Sequence, residues 1–218
     1  MTKQSKHLKR MAMPRSWPLP RKGSKYVTKP LPGKKIEYAL PICIILRDIL
    51  KIATTKKEVK KILLAKEVFV DNKIIKDILF PVGLFDIIAL PKINKYYRME
   101  FSRKGKLKIE EIKENEAYTK PCKIIGKKIL KKGKIQINLY DGKNFLYDKG
   151  KVNDSVIIDL KQNKIVKHLP LKEGSFVYVI KGKYVGVKGK VVKKEENFVT
   201  IKDSKQIKIA ASNVFVIE

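Results

Sequence analysis

Pro41-Ile42-Cys43-Ile44-Ile45-Leu46-Arg47-Asp48-Ile49-Leu50, followed by Thr55-Lys56-Lys57-Glu58-Val59-Lys60-Lys61-Ile62-Leu63, is the stretch on which the fold turns. Ile42, Ile45, Leu46, Ile49 and Leu50 recur at i, i+3, i+4, i+7 and i+8, the spacing of one apolar helix face. Thr55 stands three residues before Glu58. That is the signature of a capping box, so a second helix starts there and the first does not continue. Val59, Ile62 and Leu63 form its inward stripe, while Lys56, Lys57, Lys60 and Lys61 occupy the other side. The pairs Lys56/Lys60 and Lys57/Lys61 stack like charges at i,i+4, which weakens an isolated helix by roughly 0.2–0.5 kcal/mol each. A surface built this way calls for an anion.

Working outward, Glu67-Val68-Phe69-Val70 alternates, Asp71-Asn72-Lys73 has turn chemistry and Ile74-Ile75 resumes the apolar run. Pro81-Val82-Gly83 predicts another turn before Leu84-Phe85-Asp86-Ile87-Ile88. Two helices against a small hairpin, with lysines outward, suit a compact RNA-binding module. The run Leu-Arg-Asp-x-Leu, Thr-x-x-Glu-Val, Val-x-Val-Asp-Asn-Lys, Phe-Pro-Val-Gly and Asp-Ile-Ile resembles the "S-four" RNA-binding module. It is most similar to the version in the archaeal and eukaryotic ribosomal protein family S-four-e.

The chain has 218 residues, enough for two to three small domains. Apolar residues make up 44% of it, so it is no basic disordered tail. Lys and Arg number 51 against 21 Asp and Glu, a formal charge of +30. Self-repulsion on that scale destabilises a compact chain, and a polyanion relieves it. No apolar stretch reaches the ~18 residues of a spanning helix, and no signal peptide is read before the basic start. Nucleic acid, not membrane, is the expected partner. Cys43 and Cys122 lie far apart with no C-x-x-C pair, which argues against zinc and for core thiols in a reducing compartment. His7 and His168 are solitary, so no metal, cofactor or small-molecule substrate is expected.

Residues 1–36 carry eleven cations, among them Lys3, Lys6, Lys9, Arg10, Arg15, Arg21 and Lys22, before the first acid, Glu37. Pro14, Pro18, Pro20, Pro30 and Pro32 forbid a long helix. The expectation is an extended cationic arm, mobile alone and ordered along phosphates. Trp17 within it either stacks on a base or plugs an apolar pocket. The run His7-Leu8-Lys9-Arg10 with Pro14 and Trp17 is also similar to the amino-terminal signature of the S-four-e family.

After Pro91 the pattern is strands: Tyr96–Phe101, Leu107–Ile112, Lys123–Ile125, Ile135–Leu139, Val156–Leu160 and Lys164–Val166, with turns at Lys132-Gly133, Asp141-Gly142 and Gln162-Asn163. Glu110, Glu111, Glu114 and Glu116 read as a solvated edge. From Leu171, Gly174, Val177, Val179, Gly182, Gly186, Gly189 and Val191 fall in an order that resembles a KOW motif. Its glycines are expected to supply positive φ and to let backbone N–H groups approach phosphate.

The resemblance spans the chain in order and implies an α+β, mostly β protein. Its parts are a basic extended amino-terminal arm (1–36), an S-four-type module of two helices plus a hairpin (37–91), a central all-β domain (92–170) and a small SH3-like barrel with a KOW motif (171–218). It implies a non-enzymatic, cytoplasmic protein of the small ribosomal subunit that binds ribosomal RNA of the 5′ domain and adjoins other small-subunit proteins. The short carboxyl end matches the archaeal type. Candidate RNA contacts are His7, Lys9, Arg10, Arg15, Trp17, Arg21, Lys22, Arg47, Lys51, Lys56, Lys57, Lys60, Lys61, Lys73, Lys181, Lys183 and Lys188, with Gly182, Gly186 and Gly189 in the loop. S-four-type modules also occur on RNA-modifying enzymes, but no catalytic triad, Walker loop or metal cluster is present to support that reading. The other rival is a non-ribosomal, KOW-containing regulator of transcription or translation.

Overall fold

A computed structural model describes residues 7–203 and 206–217. They fall into two compact units, one running to Glu100 with Lys106–Tyr118, the other made of Phe101–Gly105 with the chain from Thr119 onward.

In the first unit, Ile42–Ile44 begins an α-helix that widens into a π-helix over Ile45–Ile49. Ile42, Cys43, Ile44, Ile45 and Leu46 are all buried, so the helix is a core rod rather than a one-faced one. The second helix, Lys56–Leu64, starts at the expected cap. Glu58 N–H donates to Thr55 Oγ1 at 3.2 Å, and Glu58 Oε2 accepts from the Thr55 and Thr54 N–H groups. Val59 and Leu63 are fully buried, and Ile62 is half-buried. Asp71 and Asn72, both with positive φ, form the tight turn between Phe69–Val70 and Lys73–Ile74, as a type I′ hairpin requires.

That hairpin edges a five-stranded sheet in the order Lys73–Ile74, Phe69–Val70, Ile87–Leu90, Lys95–Phe101, Leu107–Ile112. The sheet therefore runs through residue 91 without a break. A separate short pair, Ala39–Pro41 with Pro81–Gly83, brackets the first helix.

The expected extended arm is replaced, over residues 7–36, by a folded loop; Lys3 and Lys6 lie outside the described residues. Leu8–Lys9 pairs with Tyr26–Val27. Trp17 is 1% exposed, and its Nε1–H donates to Ile36 O at 3.0 Å. Met13 is buried as well, and Leu107 N–H donates to Ser16 O at 2.7 Å. Few apolar residues are needed here, because the loop borrows the core of the unit it covers.

In the second unit, Thr119–Ile129 is the organising strand of a five-stranded antiparallel sheet. Its first half pairs with Ser155–Asp159 and its second half with Ile135–Leu139, the partner changing after Lys123 and a bulge following between Ile124 and Gly126. Cys122, Ile124, Ile137, Leu139, Val156 and Ile158 form the core beneath it. A strand at Asn144–Leu146 extends this sheet beside Ile135–Leu139.

The other sheet has the order Gln206–Ala210, Phe198–Lys202, Lys188–Lys194, Phe176–Val179, Val214–Val216, all antiparallel. Val177, Val179, Val191, Val199, Ile201 and Val214 fill its core. Lys123 ties the two sheets together. It is 3% exposed, and its ammonium donates to Ala211 O, Ser212 O and Val214 O at 2.7, 2.9 and 2.7 Å. Burial pulls its pKa down to about 8.

Candidate nucleic-acid interface

The second helix carries the clearest anionophilic surface. The cap fixes its first turn, and Val59 and Leu63 fix its rotation, so Lys56, Lys57, Lys60 and Lys61 all face solvent. Among the described residues no carboxylate pairs with any of the four. Glu58 is the one acid in this helix, and the N–H groups of Thr54 and Thr55 hold its carboxyl below the usual range. It serves the cap, which leaves the lysines with their full charge. Lys51, exposed and at φ +54, lies in the link that precedes this helix.

Arg47 is differently placed. Its Nε and Nη2 donate to Asp48 Oδ1 and Oδ2 at 2.9 and 2.7 Å, a bidentate pair that raises its pKa further. The fork a phosphate would use is already filled by a carboxylate, so Arg47 brings no net charge to the surface. Cys43 nearby is buried, and burial pushes its thiol up, as for an inert core cysteine.

Around residues 7–36 the candidates divide. His7, Lys9, Arg15 and Lys22 are exposed. Of the two roles open to Trp17, the structure shows the apolar plug: its ring is buried and its N–H is bound to Ile36 O. Arg10 donates to Pro20 O at 2.7 Å and Ser24 Oγ at 3.1 Å, and Arg21 to Met11 O and Met13 O at 3.1 and 3.2 Å. These two arginines staple the loop shut through its own carbonyls. Lys73 is exposed in the strand that leaves the hairpin turn.

The glycine-rich turn between Phe176–Val179 and Lys188–Lys194 presents Lys181, Lys183 and Lys188 to solvent, the last with its ammonium 5.7 Å from the buried Tyr178 ring. Gly182 and Gly186 have φ of +99 and +82, as expected. Gly189 does not. It lies in a strand, opposite Val177, where an added Cβ would stand 2.6 Å from Ile201 Cγ2 and 2.7 Å from Lys202 O. Close packing, not backbone handedness, demands glycine there. Gly186 carries both constraints, since its Cβ would meet Ser102 O at 2.4 Å.

Sequence alone does not reveal the ion pair of the partly exposed Lys34 with the buried Asp86, or the buried lysines Lys120 and Lys123. Lys120 lies 3.6 Å from Asp141, itself nearly buried. A lysine in an alternating strand gives no sign that it points inward. Among the described residues no cluster of three His, Cys, Asp or Glu side chains can hold a metal, and no helix is long and apolar enough to cross a membrane.

Residues 93–165 match the model described as Ribosomal family S4e, and residues 3–33 match the RS4NT domain. A small ribosomal subunit protein eS4 of Methanocella arvoryzae is 41% identical over 213 residues, covering 97% of this chain and 86% of that protein. Its counterpart in Nanoarchaeum equitans is 43% identical over 184 residues, covering 83% and 79%. The crystal structure of the 30S ribosomal protein S4e from Thermoplasma acidophilum superposes with a TM-score of 0.73 at 27% identity, over 83% of this chain and 95% of that one. A mostly-β α+β fold shared with a solved S4e structure and identity of about two residues in five over most of both chains have one reading: the chain belongs to the ribosomal protein family S4e.

Proposed function

We propose that the protein is a structural constituent of the small ribosomal subunit, working in the cytoplasm, which binds folded small-subunit ribosomal RNA and holds it in place. The relatives named above carry the subunit assignment. The observation that carries the RNA-binding part is the row of four exposed lysines on the second helix with no carboxylate among the described residues to neutralise them. Lysines set along phosphates release condensed counterions and let RNA helices pack closely, a contribution that is sequence-independent and steeply salt-dependent. Contact with the 5′ domain in the body of the subunit, alongside neighbouring ribosomal proteins, is the placement the family likeness supports.

In this reading the chain works as four parts in sequence, the second and third sharing the sheet that runs through residue 91: the basic segment 1–36, an S-four-type module over 37–91, a central β region over 92–170, and an SH3-like KOW region over 171–218. The first contributes His7, Lys9, Arg15 and Lys22, the second Lys51, Lys56, Lys57, Lys60, Lys61 and Lys73, and the last Lys181, Lys183 and Lys188 around Gly182 and Gly186. No step of chemistry is assigned to it, as suits a family of structural ribosomal proteins. The test is co-sedimentation: the tagged protein should travel with 30S particles in low salt and be stripped from them by high salt. Recovery only with transcription complexes or in free fractions would favour the regulator instead.

A further inference from the structure

Three aromatic side chains stand out in solvent among the described residues: Tyr26, Tyr184 and Phe198, 48%, 38% and 46% exposed. Each has a lysine ammonium near its ring, at 5.6 Å for Lys25 over Tyr26, 5.8 Å for Lys183 over Tyr184 and 5.1 Å for Lys208 over Phe198. Their electrostatic settings differ. Lys208 is ion-paired to Glu195 at 2.7 Å, and Lys193 lies 3.7 Å from the same residue. The lysine over Phe198 is therefore already held by a carboxylate and is not free to turn to a phosphate. No carboxylate pairs with Lys25, Lys181 or Lys183 among the described residues.

Tyr184 is at the outer end of the turn Lys181-Gly182-Lys183-Tyr184, where every residue is exposed. Gly182, at φ +99 with nothing within 4 Å of a built Cβ, turns the chain there in open space. Tyr26 is in the short strand Tyr26–Val27, with the exposed His7 ring 5.4 Å away. An exposed ring flanked by ammonium groups that no carboxylate pairs is a poor fit for an apolar protein surface, which would have to bury those charges unpaired. It is a good fit for a nucleotide, whose base has a flat π-face and whose phosphate lies a short reach away.

We propose that Tyr184 and Tyr26 are stacking platforms for unpaired RNA bases, with Lys183 and Lys25 engaging the adjoining phosphates. The proposal rests on the RNA-binding reading above and adds a different kind of contact: the lysines of the second helix sense charge alone, whereas a ring senses whether a base is free to stack. Such a contact tolerates any base and favours loops and bulges over uninterrupted duplex.

The experiment titrates a transcript of small-subunit ribosomal RNA with the full-length protein and with Tyr184→Leu, Tyr26→Leu, Tyr184→Phe, Phe198→Leu and Lys183→Ala, at several salt concentrations, after thermal melting has shown each variant folded. Loss of one stacked base should weaken binding by about fivefold to a hundredfold. The dependence of log K on log salt should keep the parent slope in both Tyr→Leu variants, because no phosphate contact is removed. Tyr184→Phe, which keeps the ring, should bind like the parent, and so should Phe198→Leu. Lys183→Ala should instead reduce the slope by about 1. Parent-like affinity of both Tyr→Leu variants overturns the proposal. So does an equal loss in Phe198→Leu, which would make exposed rings important for some reason unrelated to phosphate. A parent protein that fails to bind the transcript at all overturns the functional reading itself.

Discussion

Gly186→Ala is the sharpest test of the second unit. The residue has φ +82, a conformation that costs an L-residue roughly 1–2 kcal/mol. Its new methyl would also stand 2.4 Å from Ser102 O, 2.7 Å from Ser102 C and 3.1 Å from Arg103 N, all backbone atoms that cannot rotate aside. Inserting a methyl into a packed site adds about 1–3 kcal/mol. Together the two effects remove about 2–5 kcal/mol from a body of roughly a hundred residues, a fall in Tm of at least about 8 °C. Gly182→Ala separates the causes. It meets the same backbone penalty at φ +99 but has nothing within 4 Å, so it should lose only about 1–2 kcal/mol. Gly189→Ala has only the steric effect, against Ile201 and Lys202. Urea denaturation followed by circular dichroism, checked by calorimetry, measures all three. A Gly186→Ala midpoint within the error of the parent, or equal to that of Gly182→Ala, would refute the claim that Ser102 closes over this glycine.

Four other outcomes are expected. Lys57→Ala and Lys61→Ala should each lower the salt slope of RNA binding by about 1, while Arg47→Ala, whose charge Asp48 already offsets, should leave the slope unchanged; filter binding from low to moderate salt reads both. Thr55→Ala should cost about 1 kcal/mol through loss of the cap, measured by denaturant titration. Glu58 has a folded pKa below its unfolded value, so the stability it lends is present above the unfolded pKa and drains away as pH falls through the lowered one; the stability gap between the parent and Glu58→Gln should close over that acid range. Trp17→Ala should destabilise the first unit by about 3–5 kcal/mol, as an emptied core site does, and the calorimetric Tm of the full chain would show it.

What the sequence revealed follows how locally each feature is determined. The cap at Thr55 is written in four consecutive residues, and the structure places it there. The Asp71-Asn72 turn is equally local. Arg47 escaped because adjacent residues on a helix do not ordinarily face each other, yet within the π-helix its guanidinium reaches the next carboxylate. Trp17 could be read two ways because its partner, the Ile36 carbonyl, is 19 residues away. A glycine announces freedom but not the reason for it. At Gly189 the reason is a side chain on the neighbouring strand, Ile201, known only once the strands are paired. Composition predicts an arm over 1–36, yet 7–36 is folded, because composition counts the apolar residues a segment owns and not those it can borrow. The exposed lysines, by contrast, were plain from helical period alone.

Lys123 has a consequence in time. Its three acceptors lie 88 to 91 residues further along the chain. A chain made from its amino end at ~5–20 residues per second has the lysine in hand roughly 5–20 s before the last acceptor exists. Throughout that interval the ammonium must stay hydrated, and the strand Phe176–Val179, once made, lacks Val214–Val216 along one edge. An open edge on a nascent chain is a template for wrong pairing. When the late strand arrives, it closes the edge and delivers a carbonyl to the waiting lysine in one event. Arrival of Val214–Val216 is therefore the step that lets the second unit lock.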